Sequence, residues 1–188
     1  SDHGEEFFDH GGWWHGQTLH EELVRVPLAV KLPQGAHGGE VNGDLARLVD
    51  LAPTFLGLAG LPPAEGMSGA PLFDADLNPA NAGTAYTYAE NDFENNILKA
   101  VRDGRHALIT ANPGNPRGAA PVALYDTEHD AKELNNIAAD EAYTELLQAL
   151  TGVLDGYRRV IEENAPEPAG DAAVGGMDRE QLEALGYL

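Results

Sequence analysis

The stretch VRDGRH, residues 101–106, constrains this chain more than any other, because it places Asp103-Gly104 between two short apolar segments, NILKAVR and RHALIT. An Asp-Gly pair between such segments is a strong local signal for a tight hairpin, since the turn that matches strand twist needs positive φ, which Gly adopts without strain. TAYTYAE (84–90) and VALYD (122–126) read as two further strands. Strands in such close succession predict a small antiparallel sheet. From Asp140 to Asn164 the apolar positions Tyr143, Leu146, Leu147, Leu150, Val153, Leu154, Tyr157, Val160 and Ile161 step by three or four. That spacing predicts an amphipathic helix across one face of the sheet.

Upstream, Val26 to Leu32 is an apolar, β-branched run interrupted by Pro27 and followed by Pro33, short enough for a buried strand. VDLAPTFLGLAG predicts a short helix with Asp50 as N-cap and Gly60 as its stop; Pro53 falls in the first turn, where N–H groups lack helical partners anyway. LPPAEGMSGAPLF reads as a loop. APEPAGDAAVGG has the composition of a flexible linker, and MDREQLEALGYL that of a last short helix capped by Asp178 and ended by Gly186. No internal repeat is present.

The 188 residues suffice for one domain of ordinary size, and 43% are hydrophobic. There are 31 Asp and Glu against 11 Lys and Arg, a formal net charge of −20. Such a surface repels phosphate backbones, which excludes nucleic acid as a partner. Its plain consequence is a well-solvated exterior; the sharper reading, adaptation to a salty environment, predicts higher stability in molar salt than in dilute buffer, and equal melting temperatures in the two would remove it. No Cys occurs, so disulfides, thiolate metal sites and a cysteine nucleophile are absent from these residues. No run approaches the roughly 20 apolar residues that a membrane span needs.

The chemistry is concentrated at the front, in SDHGEEFFDHGGWWHG. No initiator Met precedes this loaded stretch, so the expectation is a piece of a larger protein, whose front would carry any export signal. Asp2 and His3 offer a carboxylate and an imidazole, both good ligands for a divalent cation, and Gly4 would let backbone approach a bound group. Two adjacent donors do not complete a site, so further carboxylates must come from elsewhere. The alternative is a turn in which both side chains bond local backbone. His10, His15 and His20 recur every five residues, which fits neither a helical face nor strand alternation, and each taken singly reads as a hydrogen-bonded structural histidine. Trp13 and Trp14 read as core or lid packing, Glu21 and Glu22 as solvated or capping acids, and Arg25 as a partner of one of them. His106 and His129 take no role. Neither a phosphate-cradling Gly-rich loop with a Lys nor a Gly-x-Ser-x-Gly elbow is found.

Taken in order, these pieces resemble the sulfatase family of the alkaline-phosphatase superfamily. The opening through EELVRVPLAVK is similar to its C-terminal metal-binding segment, in which Ser-Asp-His/Asn-Gly leads into Glu-His-Gly and then Tyr-Glu-Glu and Arg-Val-Pro-Leu. LVDLAPTFLGLAGLP, MSGAPLF, AVRDGRHALI, LYDTEHDAKELNNIA and the closing LEALGYL resemble later motifs of that family in the same sequence. The resemblance implies an α/β fold: residues 1–80 as the C-terminal part of an alkaline-phosphatase-like catalytic domain, 81–164 as an antiparallel-sheet and long-helix subdomain, and 165–188 as linker and terminal helix. It places Asp2 and His3 on the family's cation ligands, His15 where a Lys usually contacts the sulfate oxygens, and His10 on the Glu-His-Gly histidine as support, with Asp9 replacing the Glu. His20 falls where a Tyr is common and would pack like one.

His15 departs from the pattern, since an imidazole is cationic only below about pH 6.5 unless a carboxylate raises its pKa. The departure leaves room for phosphodiesterase, phosphonate hydrolase or phosphoglycerol transferase chemistry; a non-catalytic binding module is a third reading. The expected activity is hydrolysis of small-molecule or carbohydrate sulfate esters with one divalent cation, Ca²⁺ first, then Mn²⁺, Mg²⁺ or Zn²⁺. Family habit implies a periplasmic or extracellular address. The formylglycine motif Cys/Ser-x-Pro/Ala-x-Arg does not occur in these residues, so the chain by itself is expected to be inactive.

Overall fold

A computed structural model describes residues 1–80 and 85–165. Asp103-Gly104 closes a hairpin, as its residue types dictate. The Asp103 carboxylate accepts from the N–H groups of Arg105 (2.9 Å) and His106 (2.7 Å), and Gly104 takes φ +91°. In chain order the elements are strands Glu6–Phe7 (β1) and Trp13–Trp14 (β2), helices Glu21–Val24 (α1) and Leu51–Leu58 (α2), strands Thr87–Phe93 (β3), Asn96–Arg102 (β4), His106–Ala111 (β5) and Val122–Asp126 (β6), and helix Thr144–Asn164 (α3). β1 and β2 pair antiparallel, and β3 to β6 form an antiparallel sheet in sequence order. The β3–β4 turn, Glu94-Asn95, has positive φ at both residues, the conformation that suits strand twist.

Strand alternation sends Leu98, Ala100, Ala107, Ile109, Ala123 and Tyr125 to one face, where Leu19 packs among them with Val24 beside it. The opening segment is therefore part of the sheet's core. Val101, Leu108 and Leu124 project to the other face and are completely buried, so the sheet is covered on both sides at these positions. Leu150 and Leu154, one helical turn apart on α3, are buried as well. Asp140 caps the turn that leads into this helix by accepting from the Ala142 N–H at 2.9 Å. The described chain divides into two compact units within α3, the first ending at Gly156. Everything below lies in the first. None of the described helices is long and apolar enough to cross a membrane.

Two expectations are corrected. Val26 to Leu32 forms no strand; Leu28 and Val30 are exposed, and the two prolines withhold donors that a ladder would need. Asp50 precedes α2 but does not cap it with its side chain. Its fully buried carboxylate instead takes four bonds, from the Arg47 N–H, Nε and Nη2 and from the Ala70 N–H. Burial alone would raise its pKa, and these donors outweigh burial and hold it below the ordinary aspartate value. Pro53 does sit in the first turn of α2, and Gly60 (φ +71°) does end it, with the Leu61 N–H on the Leu56 carbonyl at 2.8 Å. The linker from 166 on and the Asp178 helix lie outside the described residues.

Candidate functional site

The sheet holds the opening segment from both ends of β4. Asn96 Nδ2 donates to the Gln17 carbonyl at 2.9 Å, and Arg102 Nη2 donates to the Leu19 carbonyl at 2.8 Å. Arg102 also reaches Glu133 Oε1 at 2.9 Å and Glu21 Oε1 at 3.4 Å. Glu133, fully buried and at φ +50°, accepts on its other oxygen from His20 Nδ1 (2.7 Å) and the Glu21 N–H (3.1 Å). Burial works against the Glu133 carboxylate, yet the His20 bond and the Arg102 charge pull its pKa below the usual value. A buried ion pair with every oxygen engaged thus anchors the segment that carries the chemistry.

At the tip of that segment, β1 and β2 fold the first residues back on themselves. His3 and His15 come together with ring centroids 4.3 Å apart. His15 Nδ1 donates to Glu5 Oε1 at 2.8 Å. His3 Nδ1 lies 2.8 Å from the Gly4 carbonyl, and a carbonyl only accepts, so Nδ1 carries the proton and Nε2 keeps its lone pair. That free nitrogen is 3.8 Å from Asp2 Oδ2. Asp2 is held below the ordinary aspartate value by its own backbone N–H and then by His3, so it presents a carboxylate. His3, Glu5 and His15 also place one donor atom each within 4.8 Å of one another. The donor set, an imidazole nitrogen beside an exposed carboxylate, fits a divalent cation. Gly4 is needed for a different reason than ligand approach: a Cβ there would lie 1.9 Å from the Glu22 carbonyl oxygen.

Further in, His10 Nδ1 lies 2.6 Å from Glu22 Oε1, its Nε2 lies 3.3 Å from the Glu133 carbonyl, and its ring stacks on His20 at 3.6 Å. Burial lowers the pKa of His10, but the Glu22 bond and charge outweigh it and the net shift is upward. Glu22 is therefore a working partner and not a solvated acid, whereas Arg25 pairs with Glu21 as its i,i+4 spacing suggests. His20 sits edge-on to Tyr125 at 5.5 Å, packed among rings as a Tyr would be.

Residues 9–159 match the family described as N-sulphoglucosamine sulphohydrolase, C-terminal. The chain belongs to that family. This sulfatase-family region is 27% identical over 169 residues to an N-acetylglucosamine-6-O-sulfatase of Bacteroides thetaiotaomicron, covering 86% of the chain and 30% of that protein. It is 27% identical over 161 residues to an arylsulfatase of Clostridium perfringens, covering 82% and 31%, and 26% identical over 189 residues to the multifunctional alkaline phosphatase superfamily protein PehA of Trinickia caryophylli, covering 90% and 36%. The chain spans about a third of these relatives. The structure of BT4656 in complex with its substrate D-glucosamine-2-N,6-O-disulfate superimposes with a TM-score of 0.74 at 24% identity, over 88% of this chain and 34% of that one. The shared fold is a partial alkaline-phosphatase-like sulfatase fold, with the small antiparallel sheet and the long C-terminal helix.

Within this sulfatase-family chain, Asp2 and His3 precede the matched residues, while His10 and His15 fall inside them. Trp13 and Trp14 are not core: both are exposed on β2, opposite Phe7 and Glu6, and it is Glu6 that turns inward. Sequence reasoning missed Glu5, Glu6, Arg102 and Glu133. The signal available was weak, an arginine closing an apolar strand and a glutamate in a loop. His106 and His129 bond Asp103 and Asp126 locally.

Proposed function

We propose that this chain is the C-terminal part of a divalent-cation-dependent sulfuric ester hydrolase acting on small-molecule or carbohydrate sulfate esters. The observation that carries the reading is the placing of His3: its Nδ1 lies 2.8 Å from the Gly4 carbonyl and its Nε2 3.8 Å from Asp2 Oδ2. Asp2 and His3 would hold the cation together with carboxylates from upstream sequence. A bound Ca²⁺, or in its place Mn²⁺, Mg²⁺ or Zn²⁺, would offset charge on the ester oxygens. His15, whose Nδ1 proton is taken by Glu5, would meet the sulfate oxygens through Nε2, which donates to them only when the ring carries a second proton. His10 holds α1 through Glu22 and so keeps the loop in place. The nucleophile lies upstream.

The test compares the protein that contains this chain and its upstream sequence with its His15→Ala and His15→Lys variants on an aryl sulfate. Loss of the donor is expected to lower kcat/KM by about 10²–10³-fold, and Lys to restore most of it. The 188-residue chain alone is the control, with no turnover expected. An Ala variant as active as the parent would remove His15 from the site, and metal-dependent hydrolysis by the isolated chain would refute the division of labour. The likeness to PehA, a multifunctional alkaline phosphatase superfamily protein, keeps a second reading in view, ester chemistry at phosphorus, and a phosphonate monoester run beside the aryl sulfate separates the two by which is turned over faster.

A further inference from the structure

The interior of the opening segment holds a second group of donors, away from Asp2 and His3. Glu6 is completely buried. Its Oε1 accepts from the N–H groups of His10 (3.0 Å) and Gly12 (2.8 Å), while its Oε2 is buried with no hydrogen-bond partner. A carboxylate oxygen left unsatisfied in the interior is costly. Glu6, His10 and Glu22 each place one donor atom within 4.8 Å of the others. Gln17 Oε1 faces the same gap, since a Cβ on Gly12 would come within 2.9 Å of both that oxygen and Glu6 Oε2. Acceptors thus converge where no donor is supplied.

His10 makes the imbalance explicit. Its Nε2 faces a carbonyl, so Nε2 bears the hydrogen, and in neutral imidazole Nδ1 then points a lone pair at Glu22 Oε1, 2.6 Å away. Two lone pairs do not meet at that distance, so a proton shared between Nδ1 and Oε1 fills the contact when no ion is bound. An ion binding here would take that proton's place and spread the two ligand atoms apart. An imidazole whose far nitrogen is anchored to backbone carbonyl is the usual orientation of a metal-ligating histidine. His10 and Glu22 also line a cleft of about 330 Å³ with Phe8, Asp9, Glu21 and Lys132, so two of the three donors border open space, and two further carboxylates there stand against one ammonium.

We propose that Glu6, His10 and Glu22 form a second divalent-cation site, one nitrogen and two carboxylates with a position open to the cleft, suited to a borderline ion such as Zn²⁺. The site is separate from the Asp2–His3 pair, so it stands or falls independently of the proposed hydrolase.

The experiment uses the 188-residue chain carrying Asp2→Asn and His3→Gln, which removes the first pair, and titrates Zn²⁺ by calorimetry, with Co²⁺ absorption as the report on donor type. Saturable binding of one ion is expected, with visible Co²⁺ bands and a higher melting temperature. Adding Glu6→Gln or His10→Gln should weaken binding by more than about tenfold, because even the outer partners of a metal site carry that much. Glu6→Gln preserves shape and supplies a donor amide, so it stays informative if His10→Gln fails to fold. Absence of saturable binding, or Zn²⁺ affinity unchanged by Glu6→Gln in a chain that retains its circular dichroism, overturns the proposal and leaves a proton as the charge between His10 and Glu22.

Discussion

Replacing Arg102 with Met is expected to destabilise the chain by about 3–5 kcal/mol. Arg102 is the positive partner of a carboxylate with no exposure at all. Removing it leaves the Glu133 charge in the interior with only His20 and one backbone N–H to answer it. It also frees the Leu19 carbonyl. The cost comes from stranding a charge, so the companion change matters: Arg102→Met with Glu133→Leu should recover most of the loss, since a well-packed apolar pair of similar volume often does as well as a buried ion pair. Urea midpoints of the single and double variants measure this. A single variant within about 1 kcal/mol of the parent would mean that solvent reaches Glu133, and the anchoring role assigned to it would be wrong.

Gly4→Ala is the second large effect. The added Cβ would stand 1.9 Å from a backbone oxygen of α1, and backbone does not swing aside as a side-chain tip does. Either α1 moves away or the Gly4 N–H lets go of the Leu23 carbonyl, a bond of 2.8 Å. Overpacking plus that bond comes to about 2–4 kcal/mol. Gly4 has no positive φ, so the substitution tests space alone and not backbone strain. The melting temperature should fall by several degrees, and a melting curve superimposable on the parent's would show that the opening segment is not packed against α1 in this way.

The elements that local chemistry determines were readable from the chain. NILKAVR and VALYD are strands with the boundaries their composition suggests, Asp103 and Gly104 close the hairpin between β4 and β5, and the three-four spacing after Asp140 is a helix. What could not be read depends on residues far apart in sequence. Nothing near Glu133 announces that it will be buried under Arg102 and His20, because the sheet register decides which strand end faces the opening segment. His3 and His15 meet only because β1 and β2 form a ribbon two residues long, a pairing too short to leave a pattern. The run through Leu28 and Val30 misled for the opposite reason: it has the composition of a buried strand, but no neighbouring strand among the described residues offers it a ladder. Likewise the aromatic character of Trp13 and Trp14 suggested a core, while the alternation of β1 sends Glu6 inward in their place.

The central claim is that Asp2 and His3 together hold a divalent ion. Its most direct measurement is the number of Ca²⁺ ions retained per chain, after dialysis against trace-free buffer, by the protein that contains this chain and its upstream sequence, compared with the same protein carrying Asp2→Asn and His3→Gln. The count should fall by one while the circular dichroism stays the same. An unchanged count in the folded double variant would contradict the account.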